Sequence, residues 1–238
     1  MFKIGNLKIG NGLPPVIILD LGINHHGSLE KAIYLSDLAI KSGAKIIKHQ
    51  THIVEDEMTD EAKQIFPPNA DVSIWDVMAR CALSREDEAE LKRYTEEMGL
   101  IYISTPFSRA AADFLETLDV PAYKVGSGEA DNLPLIRHVV RKGKPVIMST
   151  GMQTIETLQK SVQILEDAGI EYALLECTNL YPSPPEIVSL QGVTDLKVAF
   201  PNAVVGFSDH SLEVELPMIA VAMGAQIIEK HFTLSREM

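Results

Sequence analysis

Short apolar segments alternate with longer amphipathic segments along the whole chain. The apolar segments are near-continuous runs of valine, isoleucine, leucine and alanine, which is typical of strands buried on both faces of a parallel sheet. We predict strands at Val16 to Leu21, Lys45 to His49, Leu100 to Ser104, Ala122 to Val125, Pro145 to Ser149, Tyr172 to Cys177, Ala203 to Phe207 and Gln226 to His231.

The segments between these strands carry apolar residues at helical spacing. We predict helices at about Leu29 to Ser42, Arg85 to Met98, Arg109 to Leu118, Leu133 to Arg141, Ile155 to Ala168, Val188 to Phe200 and Glu213 to Met223. Ser28 and Ser84 precede two of them, as N-caps do. Eight strands separated by helices favour an α/β fold of the closed (β/α)8 TIM barrel type over an open doubly wound sheet. No Gly-x-Gly-x-x-Gly motif follows the first strand, which argues against dinucleotide binding.

Two segments depart from this regular pattern. Thr51 to Leu83 forms one long connection that is acidic at its start and carries the only tryptophan, Trp75. Connections of this length usually bear function or contact a partner. After His231 there is no room for an eighth helix. We therefore expect 1–238 to be one barrel domain, incomplete at its C-terminus, in a native protein that continues past Met238 and forms a dimer.

Composition narrows the class of protein. The chain has 238 residues, 46% of them hydrophobic, and a formal net charge of −12. It has no basic stripe to neutralise phosphates, so we expect no nucleic-acid partner. No signal peptide and no apolar run of membrane-spanning length is present, so we expect no membrane association. The two cysteines, Cys81 and Cys177, lack metal-ligand spacing and suggest a reducing compartment. We predict a cytoplasmic enzyme.

Two histidines close the last two predicted strands. His210 ends the segment Gly206 to His210, and His231 ends the segment Ile228 to His231. A lone histidine is more often an ordinary core or loop residue than a ligand, but the ends of adjacent barrel strands lie side by side. We predict a divalent-metal site with two imidazoles and open positions for water and substrate. Asp209 and Glu229 either orient this site or are ordinary rim residues.

Lysines lie inside two other predicted strands. Lysine is seldom buried without a partner, so Lys48 and Lys124 require an anion or a chemical role. Gln50 shares a strand face with Lys48, because side chains alternate with a period of two. Glycine-rich turns follow Lys124 and Ile147, and such turns expose backbone N–H groups. Together with the hydroxyls of Thr105 and Ser208, these features predict an oxyanion-binding cradle.

Eight motifs in this order resemble the N-acetylneuraminate (sialic acid) synthases, including the legionaminic and pseudaminic acid synthases. They cover nearly the whole chain and are Gly22-Ile23-Asn24-His25, Lys48-His49-Gln50-Thr51, Ser104-Thr105-Pro106-Phe107, Tyr123 to Glu129, Ser149-Thr150-Gly151-Met152, Cys177 to Pro182, Gly206 to His210 and Glu229 to Thr233. The segment Lys48 to Met58 resembles the sialic acid branch in particular.

The resemblance implies an activity and a role for individual residues. Members of this family condense phosphoenolpyruvate with an N-acetylated sugar aldehyde, here N-acetylmannosamine by preference. The resemblance implies that His210 and His231 bind a divalent ion, typically Mn²⁺, with Mg²⁺ or Co²⁺ as alternatives. It places Asp20, Glu129 and Lys48 in catalysis. The residues implied to hold phosphoenolpyruvate are Lys48, Thr105, Lys124, Ser127, Ser149, Asn179 and Ser208, and those implied to face the sugar are Gln50, Glu129 and Tyr181.

The chain departs from the family pattern in three ways. Asp20 stands where the family usually has a glutamate, which shortens the reach of the carboxylate by one methylene. Glu176 stands where a histidine is common in the sialic acid branch. The sequence also lacks the last barrel helix and the small antifreeze-like domain, which in the family reaches the sugar site of the partner subunit in a homodimer.

Three other functions remain open at this point. In the first, the chain is a legionaminic or pseudaminic acid synthase and uses the acceptor sugar of that reaction. Alternatively, Lys48 or Lys124 forms a Schiff base in a barrel aldolase that needs no metal. In the third reading, the barrel is a binding or assembly module without catalysis.

Overall fold

The computed structural model describes residues 2–67 and 71–235. Its barrel confirms the predicted fold class. An antiparallel hairpin of β1 (Phe2–Ile4) and β2 (Leu7–Ile9) precedes the barrel. Within the described residues, the parallel strands close in the order β10-β3-β4-β5-β6-β7-β8-β9. These strands are β3 (Val16–Gly22), β4 (Ile46–Thr51), β5 (Ile101–Pro106), β6 (Tyr123–Val125), β7 (Val146–Ser149), β8 (Tyr172–Cys177), β9 (Val204–Asp209) and β10 (Ile227–His231).

Helices separate most of these strands. They are α1 (Leu29–Lys41), α2 (Val54–Glu57), α3 (Ile74–Cys81), α4 (Arg85–Glu97), α5 (Arg109–Thr117), α6 (Leu133–Val140), α7 (Ile155–Asp167), α8 (Gln191–Ala199) and α9 (Glu215–Ala222). The predicted N-caps are confirmed, since Ser28 Oγ accepts from Lys31 N–H and Ser84 Oγ from Asp87 N–H. Within the described part of the chain, no helix is both long and apolar enough to cross a membrane.

Three of the predicted segments differ from the structure. The connection from Thr51 to Leu83 contains α2 and α3. Helix α8 begins at Gln191 rather than Val188, because Pro185–Ile187 form a separate 3-10 turn after which Val188 is extended. Helix α9 begins at Glu215 rather than Glu213, because the Ser211 hydroxyl accepts the Glu213 N–H in a local turn. Such side-chain bonds compete with helix formation.

Two compact units make up the chain. The first comprises Met1–Asp20 and Pro121–His231, and the second comprises Leu21–Val120 and Phe232–Met238. In the first unit, the register of β10 places His231 opposite Asp20 and Glu229 opposite Ser208. The ends of β9 and β10 therefore carry several of the predicted site residues together. The single domain 1–238 stays a prediction.

The second unit contains the pair of β4 and β5. Their register places Gln50 opposite Thr105. Alternation along β4 turns Lys48 and Gln50 to one face and His49 and Thr51 to the other. On that second face, the Thr51 hydroxyl donates to Glu88 of α4 at 2.5 Å. Helix α4 therefore holds β4 on the face opposite to the predicted functional residues Lys48 and Gln50.

Candidate active site

The two predicted metal-binding histidines lie side by side in the first unit. His210 follows β9 directly, His231 ends β10, and their ring centroids are 5.6 Å apart. The ring of Tyr181 stacks on His210 at 4.0 Å and meets the edge of His231 at 5.7 Å. These two histidines therefore lie in one cluster at the strand ends, and Tyr181 belongs to the same cluster.

Each imidazole has its Nδ1 turned to an oxygen acceptor. His210 Nδ1 lies 3.0 Å from the Thr178 carbonyl oxygen, and His231 Nδ1 lies 3.5 Å from Asp20 Oδ2. Because a carbonyl oxygen only accepts, Nδ1 of His210 carries the proton and its Nε2 carries the lone pair. This is the arrangement in which histidine binds a metal. Asp20 thus lies within ion-pair distance of His231, although its side chain is one methylene shorter than the glutamate usual in the family.

The donor set fits an ion that keeps exchangeable positions. The described residues contain no group of three or more His, Cys, Asp or Glu side chains placed to hold a metal. Two imidazoles alone leave positions for water and substrate, as a Lewis-acid role requires. Burial, and after it the neighbouring His231, lowers the pKa of His210 to about 4. The ring is therefore neutral at neutral pH, which is the form that binds a metal.

Asp209 lies outside this histidine pair. It accepts hydrogen bonds from Lys230 and from the backbone N–H of Ser211, the latter at 2.8 Å. Lys230 also donates to the Ser211 carbonyl oxygen at 2.7 Å. These contacts are those of a rim residue. None of them orients a metal-binding imidazole.

A buried cationic cluster lies at the ends of β6 and β7. Lys124 is 1% exposed, and its Nζ donates to Ser149 Oγ at 2.7 Å and to the Val125 carbonyl oxygen at 3.0 Å. Glu229 Oε1 lies 3.7 Å from this ammonium and accepts from the Ser208 hydroxyl at 3.0 Å. Glu229 therefore compensates the charge of Lys124. An anionic ligand here would compete with one carboxylate for the same cation.

Ser127 connects this cluster to the turn after β7. Its Oγ accepts the Gly151 N–H at 3.1 Å. A Cβ at Gly151 would lie 2.9 Å from both Ser127 Oγ and the Cys177 carbonyl oxygen, so no larger residue fits without a shift. The predicted glycine-rich turn is present, and glycine is required there by close packing.

The remaining predicted substrate-binding residues of the first unit occupy loops. Glu129 lies in a 3-10 turn after β6 and accepts from Asn132 Nδ2 at 2.6 Å. Asn179 follows β8, accepts from the Tyr181 hydroxyl at 3.4 Å and donates to Met152 Sδ at 3.2 Å. The structure thus brings Asn179 to Tyr181, while Glu129 is held separately by the residue that caps α6.

Glu176, which departs from the family pattern, faces helix α8. A Cβ at Gly192 would lie 2.1 Å from Glu176 Oε2, so the carboxyl packs directly on this helix. Burial raises the pKa of Glu176 to about 7. Since Cys177 has the opposite parity on β8, Glu176 lies behind the strand, away from the face that Cys177 presents.

The second unit carries Lys48, Gln50 and Thr105 at strand ends. Lys48 is 4% and Thr105 1% exposed. The buried Thr105 Oγ1 has no hydrogen-bond partner among the described residues. A buried hydroxyl without a partner is costly and suits a site that a ligand completes. The roles of Lys48, Gln50 and Thr105 stay predictions.

A buried histidine pair behind β4 was missed from the sequence. His25 Nδ1 accepts the Gly27 N–H at 3.2 Å, its Nε2 lies 3.1 Å from His49 Nε2, and His49 Nδ1 lies 3.3 Å from Glu88 Oε1. Tyr102 also donates to Glu88 at 2.9 Å. The sequence does carry a signal for this buried cluster: Glu88 is a glutamate on the apolar face of α4, at helical spacing from Leu91 and Thr95.

This pair predicts a loss of stability in acid. Burial, and next the neighbouring His49, lowers the pKa of His25 from 6.5 to about 3. As the pH falls through this interval, His25 binds a proton in the unfolded chain but not in the folded chain, so the free energy of unfolding decreases. Above about 6.5, His25 is neutral in both states and contributes no slope.

Urea unfolding between about pH 7 and about pH 4 measures this slope. We expect wild type to lose stability more steeply than His25→Gln, which lacks the titrating ring. Equal slopes in the two proteins would show that His25 does not carry the effect.

Comparison with known proteins identifies relatives of this chain. The chain is 31% identical over 96% of its length to human N-acetylneuraminate-9-phosphate synthase, and covers 64% of that protein. It is 33% identical over 94% of its length to N,N'-diacetyllegionaminic acid synthase of Campylobacter jejuni, and covers 69% of it. The chain therefore spans about two thirds of the length of these curated relatives.

A solved structure has the same fold. The N-acetylneuraminic acid (sialic acid) synthetase of Leptospira borgpetersenii, crystallised with citrate, superposes with a TM-score of 0.88. The two are 28% identical, and the match covers 99% of this chain and 79% of the other. Residues 35–238 match the model of the NeuB family. The chain belongs to the NeuB family.

Proposed function

We propose that this chain condenses phosphoenolpyruvate with N-acetylmannosamine to give a nonulosonic acid and phosphate. One observation carries the proposal: His210 and His231 are adjacent at neighbouring strand ends, and the Nδ1 of each lies towards an oxygen, the Thr178 carbonyl and the Asp20 carboxylate. The buried cation Lys124 and its hydroxyl partners lie in the same unit. Relatives that carry synthase names for sialic and legionaminic acids support the same reaction.

We assign a divalent ion, Mn²⁺ before Mg²⁺ or Co²⁺, to the histidine pair. When bound there, such an ion polarises a carbonyl oxygen as a Lewis acid. The Thr178 carbonyl accepts from Nδ1 of His210, which leaves Nε2 of that ring for the ion, and Asp20 lies 3.5 Å from Nδ1 of His231. Manganese accepts imidazole together with oxygen ligands, which suits a site that also receives water and a sugar aldehyde.

The other residues bind and orient the two substrates. Lys124, Ser127, Ser149, Asn179 and Ser208 hold the phosphate and carboxylate of phosphoenolpyruvate. Such positioning lowers the entropic part of the barrier. Lys48 and Thr105 serve the same substrate, while Gln50, Glu129 and Tyr181 face the sugar.

The bonds change in a fixed order. The methylene carbon of phosphoenolpyruvate attacks the aldehyde carbon, and the aldehyde oxygen takes up a proton. Water adds to the resulting cationic carbon and loses its own proton, for which Asp20 and Glu129 are the carboxylate acceptors. The new hydroxyl then collapses to the keto group as the C–O bond to phosphate breaks, and its proton leaves with inorganic phosphate, which keeps the bridging oxygen. Lys124 and Lys48 stabilise the negative charge that departs with phosphate.

Phosphate release tests the proposal and identifies the acceptor. The purified protein is incubated with Mn²⁺, phosphoenolpyruvate and one of three acceptors: N-acetylmannosamine, its 6-phosphate, or a diacetamido sugar. We expect the fastest release with N-acetylmannosamine. Preference for a diacetamido sugar would assign the chain to legionaminic or pseudaminic acid synthesis. Binding of phosphoenolpyruvate without release in every mixture would contradict an enzyme and favour the non-catalytic module.

A cytoplasmic homodimer remains part of the proposal. The resemblance implies that, in such a dimer, each subunit completes the sugar site of its partner.

A further inference from the structure

We propose that His52, held in place by Glu57, orients the amide of Gln50 and so selects the oxygen of the sugar that this amide binds. His52 is then a positioning residue, since it acts through Gln50. The inference rests on the proposed function, in which Gln50 faces the sugar. The groups that carry it lie on β4, the short helix α2 and the segment after β5.

The ring of His52 is held from two sides. Its Nδ1 lies 2.9 Å and 3.1 Å from the two carboxylate oxygens of Glu57. Its plane stacks on Phe107, with ring centroids 4.4 Å apart and an interplanar angle of 12°. Asp56, next to Glu57, accepts the Ala110 N–H at the start of α5 at 3.1 Å, which anchors α2. His52 is 8% exposed, so its ring has one fixed orientation.

The hydrogen-bond partners of this ring decide its protonation. A carboxylate only accepts, so Nδ1 carries a proton. Nε2 lies 3.4 Å from Gln50 Oε1, and an amide oxygen also only accepts. These contacts are those of a ring that donates from both nitrogens, with the Glu57 carboxylate as the partner of Nδ1. A charged donor beside its counter-ion makes the stronger class of hydrogen bond.

This arrangement fixes what Gln50 presents to a ligand. With Oε1 engaged by His52, the amide nitrogen Nε2 is left to donate, so its partner is an acceptor oxygen of the sugar. A neutral His52 would present a lone pair at Nε2 and turn the amide around. Gln50 would then present an acceptor instead of a donor. The pair of His52 and Glu57 is thus a device for specificity at the sugar end.

Replacement of Glu57 tests the device without removing a ligand contact. In Glu57→Gln, the carboxylate that contacts Nδ1 of His52 is gone while the size of the side chain is kept. We expect the KM for N-acetylmannosamine to rise about ten- to a hundredfold, the range for one charge-assisted hydrogen bond. The kcat and the KM for phosphoenolpyruvate should change little. Glu55→Gln, an exposed glutamate on the same short helix, is the matched control and should behave as wild type.

A spectroscopic measurement follows the amide itself, independent of turnover. The side-chain amide signal of ¹⁵N-labelled Gln50 is assigned by its loss in Gln50→Ala. We expect this signal to move in Glu57→Gln and in His52→Asn, and to stay in place in Glu55→Gln. A merely structural role of Glu57 would lower stability without this selective change.

The outcomes separate the inference from the proposed function. An active wild type whose sugar KM and Gln50 signal are the same in Glu57→Gln overturns the inference. A wild type that releases no phosphate contradicts the proposed function, and the Gln50 signal then still decides whether His52 and Glu57 orient the amide.

Discussion

His210→Ala is expected to lose tight Mn²⁺ binding and to reduce kcat by at least about a thousandfold, because a Lewis acid contributes several kcal/mol to stabilising the transition state. The ring of His210 lies at the end of β9 and contacts Tyr181 and the Thr178 carbonyl, outside the strand core. The far-UV circular dichroism should therefore stay close to that of wild type. Titration with Mn²⁺, followed by the signal of the unbound ion in electron paramagnetic resonance, measures the affinity directly.

His26→Asn is the matched control for this loss. His26 is an exposed histidine with a positive φ of 50°, which asparagine adopts readily. We expect this variant to bind Mn²⁺ and turn over as wild type does. Folded His210→Ala protein with unchanged Mn²⁺ affinity would remove the metal assignment.

Lys124→Met is expected to damage phosphoenolpyruvate binding and stability together. The ammonium is buried with Glu229 and Ser149, so its removal leaves a buried carboxylate without this counter-charge. Breaking a buried ion pair from one side costs about 3–5 kcal/mol of stability. Loss of the charge-assisted bond to the substrate costs about 1.5–3 kcal/mol, so kcat/KM should fall at least about tenfold. Affinity for the sugar should change much less.

A double variant separates binding from folding. In Lys124→Met with Glu229→Gln, the buried charge is removed from both partners, and urea unfolding should show that much of the lost stability returns. Calorimetry should still detect no tight binding of phosphoenolpyruvate. Recovery of wild-type binding in this double variant would mean that Lys124 does not hold the substrate.

The contacts of Lys124 also bear on the rival Schiff-base mechanism. An amine that forms a Schiff base must lose its proton. Lys124 instead donates to Ser149 Oγ and to the Val125 carbonyl and faces the Glu229 carboxylate. We therefore expect no adduct on Lys124 after borohydride treatment with pyruvate. A trapped adduct in the mass spectrum, with activity that survives a chelator, would favour the metal-independent aldolase.

Much of the barrel was predictable because its strands are apolar on both faces. The predicted segment Tyr172 to Cys177 coincides with β8, and the other barrel strands agree within one or two residues at each end. The hairpin of β1 and β2 was missed although its signal is in the sequence. Gly5-Asn6 separates two short runs in which apolar residues alternate with Lys3 and Lys8, which is the pattern of a two-residue hairpin.

The site was predictable as far as strand periodicity reaches. Asp209 and Lys230 have the opposite parity from His210 and His231, so a strict period of two already separates Asp209 from the imidazoles. The contact of Glu229 with Lys124 was not predictable in this way. It joins two strands far apart in the sequence, and it depends on the register that barrel closure imposes.

The contact between His52 and Glu57 could not be predicted from the sequence for another reason. It depends on the short helix α2, within a segment that was taken as an irregular connection. Four residues carry too little periodicity to be recognised as a helix, and their helical conformation depends on tertiary contacts. The Asp56 bond to the start of α5 is one such contact.

The fate of the bridging oxygen of phosphoenolpyruvate tests the central claim most directly. Phosphoenolpyruvate labelled with ¹⁸O between carbon and phosphorus is incubated with the protein, Mn²⁺ and N-acetylmannosamine, and the released phosphate is examined by ³¹P magnetic resonance. Cleavage of the C–O bond predicts that the label appears in inorganic phosphate. Unlabelled phosphate, with ¹⁸O kept in the organic product, would mean P–O cleavage and would contradict the proposed condensation.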